Sequence, residues 1–266
     1  MNSLTHREPL DGKFLSVVMP VYNERATVGM VIDKLLDVPN LLEIVIVDDG
    51  STDGTADIVA DRARNNETIR AFPQAANRGK TAALIAGIAE TRGDVVIIQD
   101  ADLEYDPAEI PDVVDPIARG FADVVYGSRF LVKKAARVIY FYHYLANKFL
   151  TLLSNLHTNL NMTDIETCYK AFRGDIIRNM VITSSGFGFE VEVTAKVAKL
   201  KCALYEVPVS YYGRTYDEGK KITTKDGIAA LFYILRYNLF CSLSKSFREL
   251  PALSSGPLKQ IAAKGR

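Results

Sequence analysis

The sequence predicts an α/β protein with a mainly parallel β-sheet covered by helices on both faces. Short apolar runs rich in valine and isoleucine alternate with segments of helical periodicity, as in βαβ units. Several of these runs are apolar throughout, which suits strands buried on both faces. PVYNE, DDGSTDGT and DADLE each follow directly on such a run. Sites in these folds lie beyond the carboxyl ends of the strands, so the three clusters are expected to converge.

The elements follow in order. FLSVVMP (14–20) reads as a buried strand stopped by proline, and Val28 to Leu36 carries apolar residues at helical spacing. LLEIVIVDD (41–49) is a second strand, and STDGTADIVADRARN opens with capping residues and continues as a helix. TIRAFP is a short strand, RGKTAALIAGIAETRG a helix ended by Gly93, and DVVIIQD a strand. A proline-led helix starts at Pro107, and DVVYGSR (123–129) is a further strand. From about residue 135 the pattern changes. A long amphipathic helix rich in tyrosine and leucine covers 135–156, GFGFEVEVTAKVAKL is another helix, and ALYEVPVSYYGR is a strand reaching Arg214. KDGIAALFYILRYNLF is a last amphipathic helix. The expected organisation is a flexible segment 1–13, a domain 14–222, a C-terminal amphipathic helix 223–248 and a disordered tail 249–266.

Composition narrows the function. The 266 residues are 48% hydrophobic, enough for a substantial core. With 32 basic and 32 acidic residues there is no general polyanion surface, which argues against nucleic acid. Three widely spaced cysteines form neither a CxxC pair nor a disulfide framework, which suits a reducing cytoplasm. The N-terminus lacks the apolar core of a secretory signal. The best membrane-span candidate, 228–243, is short and contains Arg236 and Asn238, so a soluble or peripheral protein is expected.

Within VVIIQDADLEYDP, extended geometry puts Asp100, Asp102 and Glu104 on one side, where they could share a hard ion such as Mg²⁺ or Mn²⁺. The competing reading is a solvated loop, and for Asp106, before Pro107, a helix cap is the better account. Turn and cap chemistry explains Ser51, Thr52, Asp53 and Gly54. Asp49, at a strand end, is suited to accept N–H groups from a nucleobase. NRGKTAAL lacks the spacing of a Walker motif, and Lys80 reads as an exposed lysine at a helix start, outside the site.

These residues give the chain a resemblance to the inverting glycosyltransferases of family 2. More closely, it resembles their dolichol-phosphate-mannose synthase and polyprenyl-phosphate glycosyltransferase branch. The resemblance runs from about Leu15 to Tyr237, through VVMPVYNE, IVIVDDGSTDGT, NRGKTAAL, QDADLEYDP, VVYGSRF, TDIETCYKAFR, FGFEVEV and VPVSYYGRTYDEGKK. It implies a GT-A (Rossmann-like) fold, a nucleotide-sugar donor and a Mg²⁺ or Mn²⁺ ion. Carried over by position, Pro20, Tyr22, Glu24, Val47 and Asp49 hold the nucleoside. Asp100, Ala101 and Asp102 lie along the diphosphate and sugar, and Asp100, Asp102 and Glu104 ligate the ion; many relatives have glutamine in place of Glu104. Arg129, Arg214 and Lys220 match basic residues that contact donor or acceptor phosphates, with Asp102 and Arg129 as the catalytic pair. His143 is a further candidate for the acceptor phosphate, with packing among aromatics as its alternative.

The implied acceptor is a polyprenyl phosphate, undecaprenyl or dolichyl, whose oxygen is anionic near neutral pH and needs arginine and lysine more than a base. The helices at 135–156 and 226–243 suit a membrane interface, with packing on the sheet or a dimer seam as alternatives. Some relatives anchor through extra spans or a small partner subunit. The expected location is the cytoplasmic face of a membrane. Competing functions are a family 2 transferase acting on a soluble or glycan acceptor, a nucleotidyltransferase and a non-catalytic nucleotide-sugar sensor. A processive synthase with a QxxRW motif is disfavoured because the chain has no tryptophan.

Overall fold

The apolar runs become strands because neither of their faces is suited to water. In the computed structural model, which describes residues 8–131, 137–138, 140–214 and 224–253, β1 (Leu15–Val21) is buried at every position. β2 (Leu41–Asp48) is buried at all but one, and β4 (Val95–Ile98) and β5 (Val124–Ser128) throughout. The first half is a run of crossovers. Helix α1 (Val28–Leu36) leads to β2, α2 (Thr55–Asn65) to β3 (Ile69–Pro73), and α3 (Lys80–Glu90) to β4. A 3₁₀ turn, Pro107–Glu109, then enters α4 (Ile110–Ala118) before β5. Asp106 caps that turn, its carboxylate accepting from the Ala108 N–H at 3.3 Å, as its sequence context predicted.

The second half consists of α5 (Phe141–Thr158), β6 (Lys170–Arg173), α6 (Gly174–Asn179), α7 (Phe189–Leu200), β7 (Leu204–Pro208), α8 (Thr224–Leu239) and α9 (Leu243–Ser246). The seven strands lie in the order β3-β2-β1-β4-β6-β5-β7. All neighbours are parallel except β6, which runs antiparallel to both β4 and β5. The expected mainly parallel α/β sheet is therefore present. Four local expectations differ: β6 was not foreseen, the helix expected over 135–156 starts only at Phe141, the helix expected over 223–248 ends at Leu239 with the short α9 after it, and the last strand stops at Pro208 instead of continuing to Arg214. Beyond Pro208 the chain leaves the sheet, and Glu109 holds it by accepting from the Ser210 N–H and hydroxyl at 2.7 and 2.8 Å.

Two packing details position the site. Gly87 lets α3 lie directly on the sheet, since a Cβ there would sit 2.7 Å from Val18 and 3.2 Å from Val47. That contact sets the N-terminus of α3 beside the strand ends. At the other end of the chain, α8 packs through Ala230, Ile234 and Tyr237, all buried. The Tyr237 hydroxyl lies 3.0 Å from that of Thr183. Of the expected tail, 254–266 lie outside the described residues; the Ala252 carbonyl accepts from Arg173. Among the described residues no helix is long and apolar enough to cross a membrane.

Candidate active site

The three polar clusters do converge. The β1 loop is stitched to the β2 loop: the Asn23 N–H donates to Ser51 Oγ (2.9 Å), Glu24 N–H to Thr55 Oγ1 (3.0 Å) and Arg25 N–H to Asp53 (3.2 Å). Thr27 joins the β4 loop by donating to the Ala101 carbonyl at 2.6 Å. Gly50 makes the β2 turn possible, with φ at +73° and Ala76 so close that a Cβ would come within 2.8 Å of its carbonyl carbon.

Asp49 is buried, and its two oxygens accept from the backbone N–H groups of Arg78 and Gly79, both at 2.8 Å. It thereby pins the turn that opens α3. Asp48, next to it, accepts from the Ser51 N–H through one oxygen; its other oxygen is buried without a hydrogen-bond partner. Pro20 and Val47 lie on adjacent parallel strands and are registered opposite one another. Tyr22 is 37% exposed at the mouth of the loops.

The acidic cluster is organised by two cations. Lys80, at the start of α3, reaches Asp100 at 2.9 Å and Glu190 of α7 at 3.3 Å. Burial alone would strip its charge, but the two carboxylates outweigh that and hold it well above the ordinary lysine range. Burial likewise opposes ionisation of Asp100, yet Lys80 keeps its carboxyl below the usual range. Sequence reasoning placed Lys80 on the surface and outside the site; the structure corrects this. Its context, a glycine followed by a helix start, looks the same whether the lysine faces water or two acids.

Arg214 is the second cation. Its guanidinium lies 2.7 Å from Asp102, 3.3 Å from Glu24 and 3.7 Å from Glu104, and the Arg214 backbone N–H donates to Glu104 at 2.7 Å. One guanidinium thus joins loops from β1, β4 and β7. Burial, then the charges of Asp100 and Glu104, push the Asp102 carboxyl up to about 7 even with Arg214 beside it. Glu104 also accepts from the Tyr211 hydroxyl at 3.0 Å.

Arg129 forms a different kind of contact. Its Nε and Nη2 meet the two oxygens of the fully buried Asp164 at 2.7 and 2.8 Å, a bidentate pair. The same guanidinium lies over the Tyr211 ring at 5.1 Å and reaches Asn147 of α5 at 3.5 Å. His143 stands on α5 with its ring 5.9 Å from that of Tyr140. Lys220 lies outside the described residues. Beneath the site, Glu166 has its carboxyl raised to about 7, by burial first and by Glu190 next. Lys170 is buried, with Nζ donating to the carbonyls of Ile165 and Thr167, and burial lowers its pKa.

Oxygen-only side chains suit Mg²⁺ or Mn²⁺. In the present arrangement, however, Asp100 faces Lys80, Asp102 faces Arg214, and Glu104 faces Tyr211 and the Arg214 N–H. Among the described residues no three His, Cys, Asp or Glu side chains are gathered as ligands for one ion. The donor chemistry fits a divalent ion, and the Arg214 guanidinium lies beside Asp102.

Similarity to known proteins agrees with this geometry. The model of glycosyl transferase family 2 matches residues 16–180, well over half of the chain. The undecaprenyl-phosphate mannosyltransferase of Micrococcus luteus is 29% identical over 213 residues, 76% of this chain and 85% of that protein. An undecaprenyl-phosphate 4-deoxy-4-formamido-L-arabinose transferase of Pseudomonas aeruginosa is 32% identical over 217 residues, 80% of this chain but only 61% of that protein. Among solved structures, glucosyl-3-phosphoglycerate synthase of Mycobacterium tuberculosis, crystallised with Mn²⁺, uridine diphosphate and phosphoglyceric acid, superposes with a TM-score of 0.67. It is 20% identical, with 94% of this chain and 92% of that one covered, a likeness of fold alone. The family match, the sheet and the relatives agree: the chain belongs to glycosyltransferase family 2 and is a glycosyltransferase.

Proposed function

We propose that this enzyme transfers a hexose from a UDP- or GDP-sugar to a polyprenyl phosphate, with inversion, using Mg²⁺ or Mn²⁺ at the cytoplasmic face of a membrane. One observation carries the reading. The strand-end acidic cluster is linked through Tyr211 and Arg129 to α5, and the outer side of α5 is a bare apolar stripe. Phe141, Leu145, Phe149, Leu152 and Leu156 recur every three or four residues and are 51–73% exposed. Ile228, Phe232, Leu235 and Leu239 repeat the pattern on α8, 42–69% exposed. A charged transfer site next to such a surface suits an acceptor with a phosphate head and a hydrocarbon tail.

The roles follow from chemistry. Tyr22, Glu24 and the strand-end backbone at Pro20 and Val47 would border the nucleoside, with Asp49 fixing the turn behind it. Asp100, Asp102 and Glu104 are the oxygens on hand for a divalent ion, which, when bound, offsets the charge that develops on the departing diphosphate. Ala101 lies between the two aspartates, where the diphosphate and sugar would pass. Arg129, kept rigid by Asp164, and Arg214 with Lys220 would hold phosphate oxygens in line with the anomeric carbon. The acceptor phosphate has a second pKa of about 6 and is already a nucleophile, so no carboxylate base is required.

The test is a donor screen with purified protein, Mn²⁺ or Mg²⁺, undecaprenyl or dolichyl phosphate in detergent, and UDP-glucose, UDP-galactose, UDP-GlcNAc or GDP-mannose in turn. Metal-dependent glycolipid from one donor, lost in Asp102→Ala, is the expected result. Donor hydrolysis without glycolipid would sink the lipid acceptor and favour a soluble or glycan one.

A further inference from the structure

Arg214 and Arg129 are both arginines among carboxylates, yet they are held differently. Arg129 matches its fork to the two oxygens of Asp164 at 2.7 and 2.8 Å. Arg214 turns its two terminal nitrogens to the oxygens of Glu24, but only at 3.3 to 3.4 Å, so its fork is seated loosely. It has one short contact, to Asp102 at 2.7 Å, while Glu24 and Glu104 stand at 3.3 to 3.7 Å, beyond good hydrogen-bond length. Its Nε is buried without a hydrogen-bond partner. It is held by the summed charge of three carboxylates from two strand-end loops, and a small divalent ion can satisfy the same demand. Lys80 cannot leave so easily, because Glu190 holds it as well as Asp100.

We propose that Arg214 is an exchangeable internal cation, which occupies the Asp102 cluster until a divalent ion displaces it and frees its guanidinium for phosphate. This rests on the function proposed above only in taking Mg²⁺ or Mn²⁺ as the enzyme's ion. Arg214 and the ion then compete for Asp102, and removing one tightens the other, as reciprocal coupling requires.

The experiment titrates Mn²⁺ into the full chain without donor or acceptor, reading free Mn²⁺ by its EPR signal. Arg214→Gln is expected to bind Mn²⁺ about tenfold more tightly than wild type, within the usual range of coupling between sites. The gain should vanish in Asp102→Asn/Arg214→Gln. Equal or weaker binding by Arg214→Gln, no binding by either protein, or a gain that survives in the double variant would each overturn the proposal. Should Arg214→Gln not fold, Arg214→Lys is read instead: its shorter reach to Asp102 should still tighten Mn²⁺, and unchanged affinity overturns the idea. Neither substrate is present, so failure of the donor screen would leave this comparison intact.

Discussion

At the scale of single residues, Lys80 neutralises two acids that burial would otherwise penalise. Asp100 and Glu190 approach it from β4 and α7, so its removal leaves two uncompensated carboxylates in a poorly hydrated place. Lys80→Met should therefore destabilise the fold by about 2–4 kcal/mol, the usual cost of breaking a buried pair on one side, reduced for its partial exposure. Urea unfolding of the two proteins measures this; a change below about 0.5 kcal/mol would mean the acids find other partners. Glu166 gives a pH-dependent counterpart. Its folded carboxyl keeps the proton to about 7, against a reference value of 4.5, so between these values the folded state binds more protons than the unfolded one. Stability from this group is therefore present at low pH and lost as pH rises through that window. Glu166→Gln, which cannot ionise, should gain on wild type by up to about 3 kcal/mol from pH 4.5 to 8. Parallel unfolding curves for both proteins across that range would show the opposite.

At the scale of elements, how much could be foreseen depended on length and on apolar monotony. Strands β1, β2 and β4 were legible because nearly every position is apolar, Ser16 and Glu43 being the interior exceptions, and a polar cluster ends each run. That arrangement also announced that the loops would meet. β6 was not legible, because KAFR is four residues long and two are cations, and nothing in it alternates. Lys170 is a strand residue only because the carbonyls of Ile165 and Thr167 take its charge in the interior. The same limit hid Asp164 and Glu190, which lie in motifs whose partners are distant in sequence. The stripe on α5 makes its own prediction. Replacing Leu152 and Leu156 with glutamate should leave the fold intact, since both are more than half exposed, and should weaken binding to vesicles containing anionic lipid by about tenfold or more. Sedimentation with vesicles decides this, and undiminished binding would assign the stripe to another partner. Gly87 makes a packing prediction: Ala there would push α3 off Val18 and Val47, costing about 1–3 kcal/mol in unfolding measurements.

At the scale of the whole molecule, the outer helices and the acidic cluster form one continuous structure. The Tyr233 ring of α8 lies against Gly188, where a Cβ would meet it at 2.5 Å, and Gly188 opens α7. The first turn of α7 carries Glu190, Glu190 holds Lys80, and Lys80 holds Asp100. On the other flank, Asn147 of α5 touches Arg129, which stacks on the tyrosine that donates to Glu104. If α8 were an appendage beyond a self-sufficient domain ending near residue 222, it could be removed at little cost. The burial of Ala230, Ile234 and Tyr237 argues that it belongs to the core. Ile234→Ala should lower the thermal midpoint by about 5–15 °C, from a cavity cost of about 2–4 kcal/mol in a chain of this size. A chain ending at residue 222 should lose the cooperative transition of the full protein. Calorimetry on the three proteins separates the cases: an unchanged midpoint in the shortened chain would make α8 a detachable anchor, whereas a joint loss would show that the apolar surface and the transfer site unfold as one body.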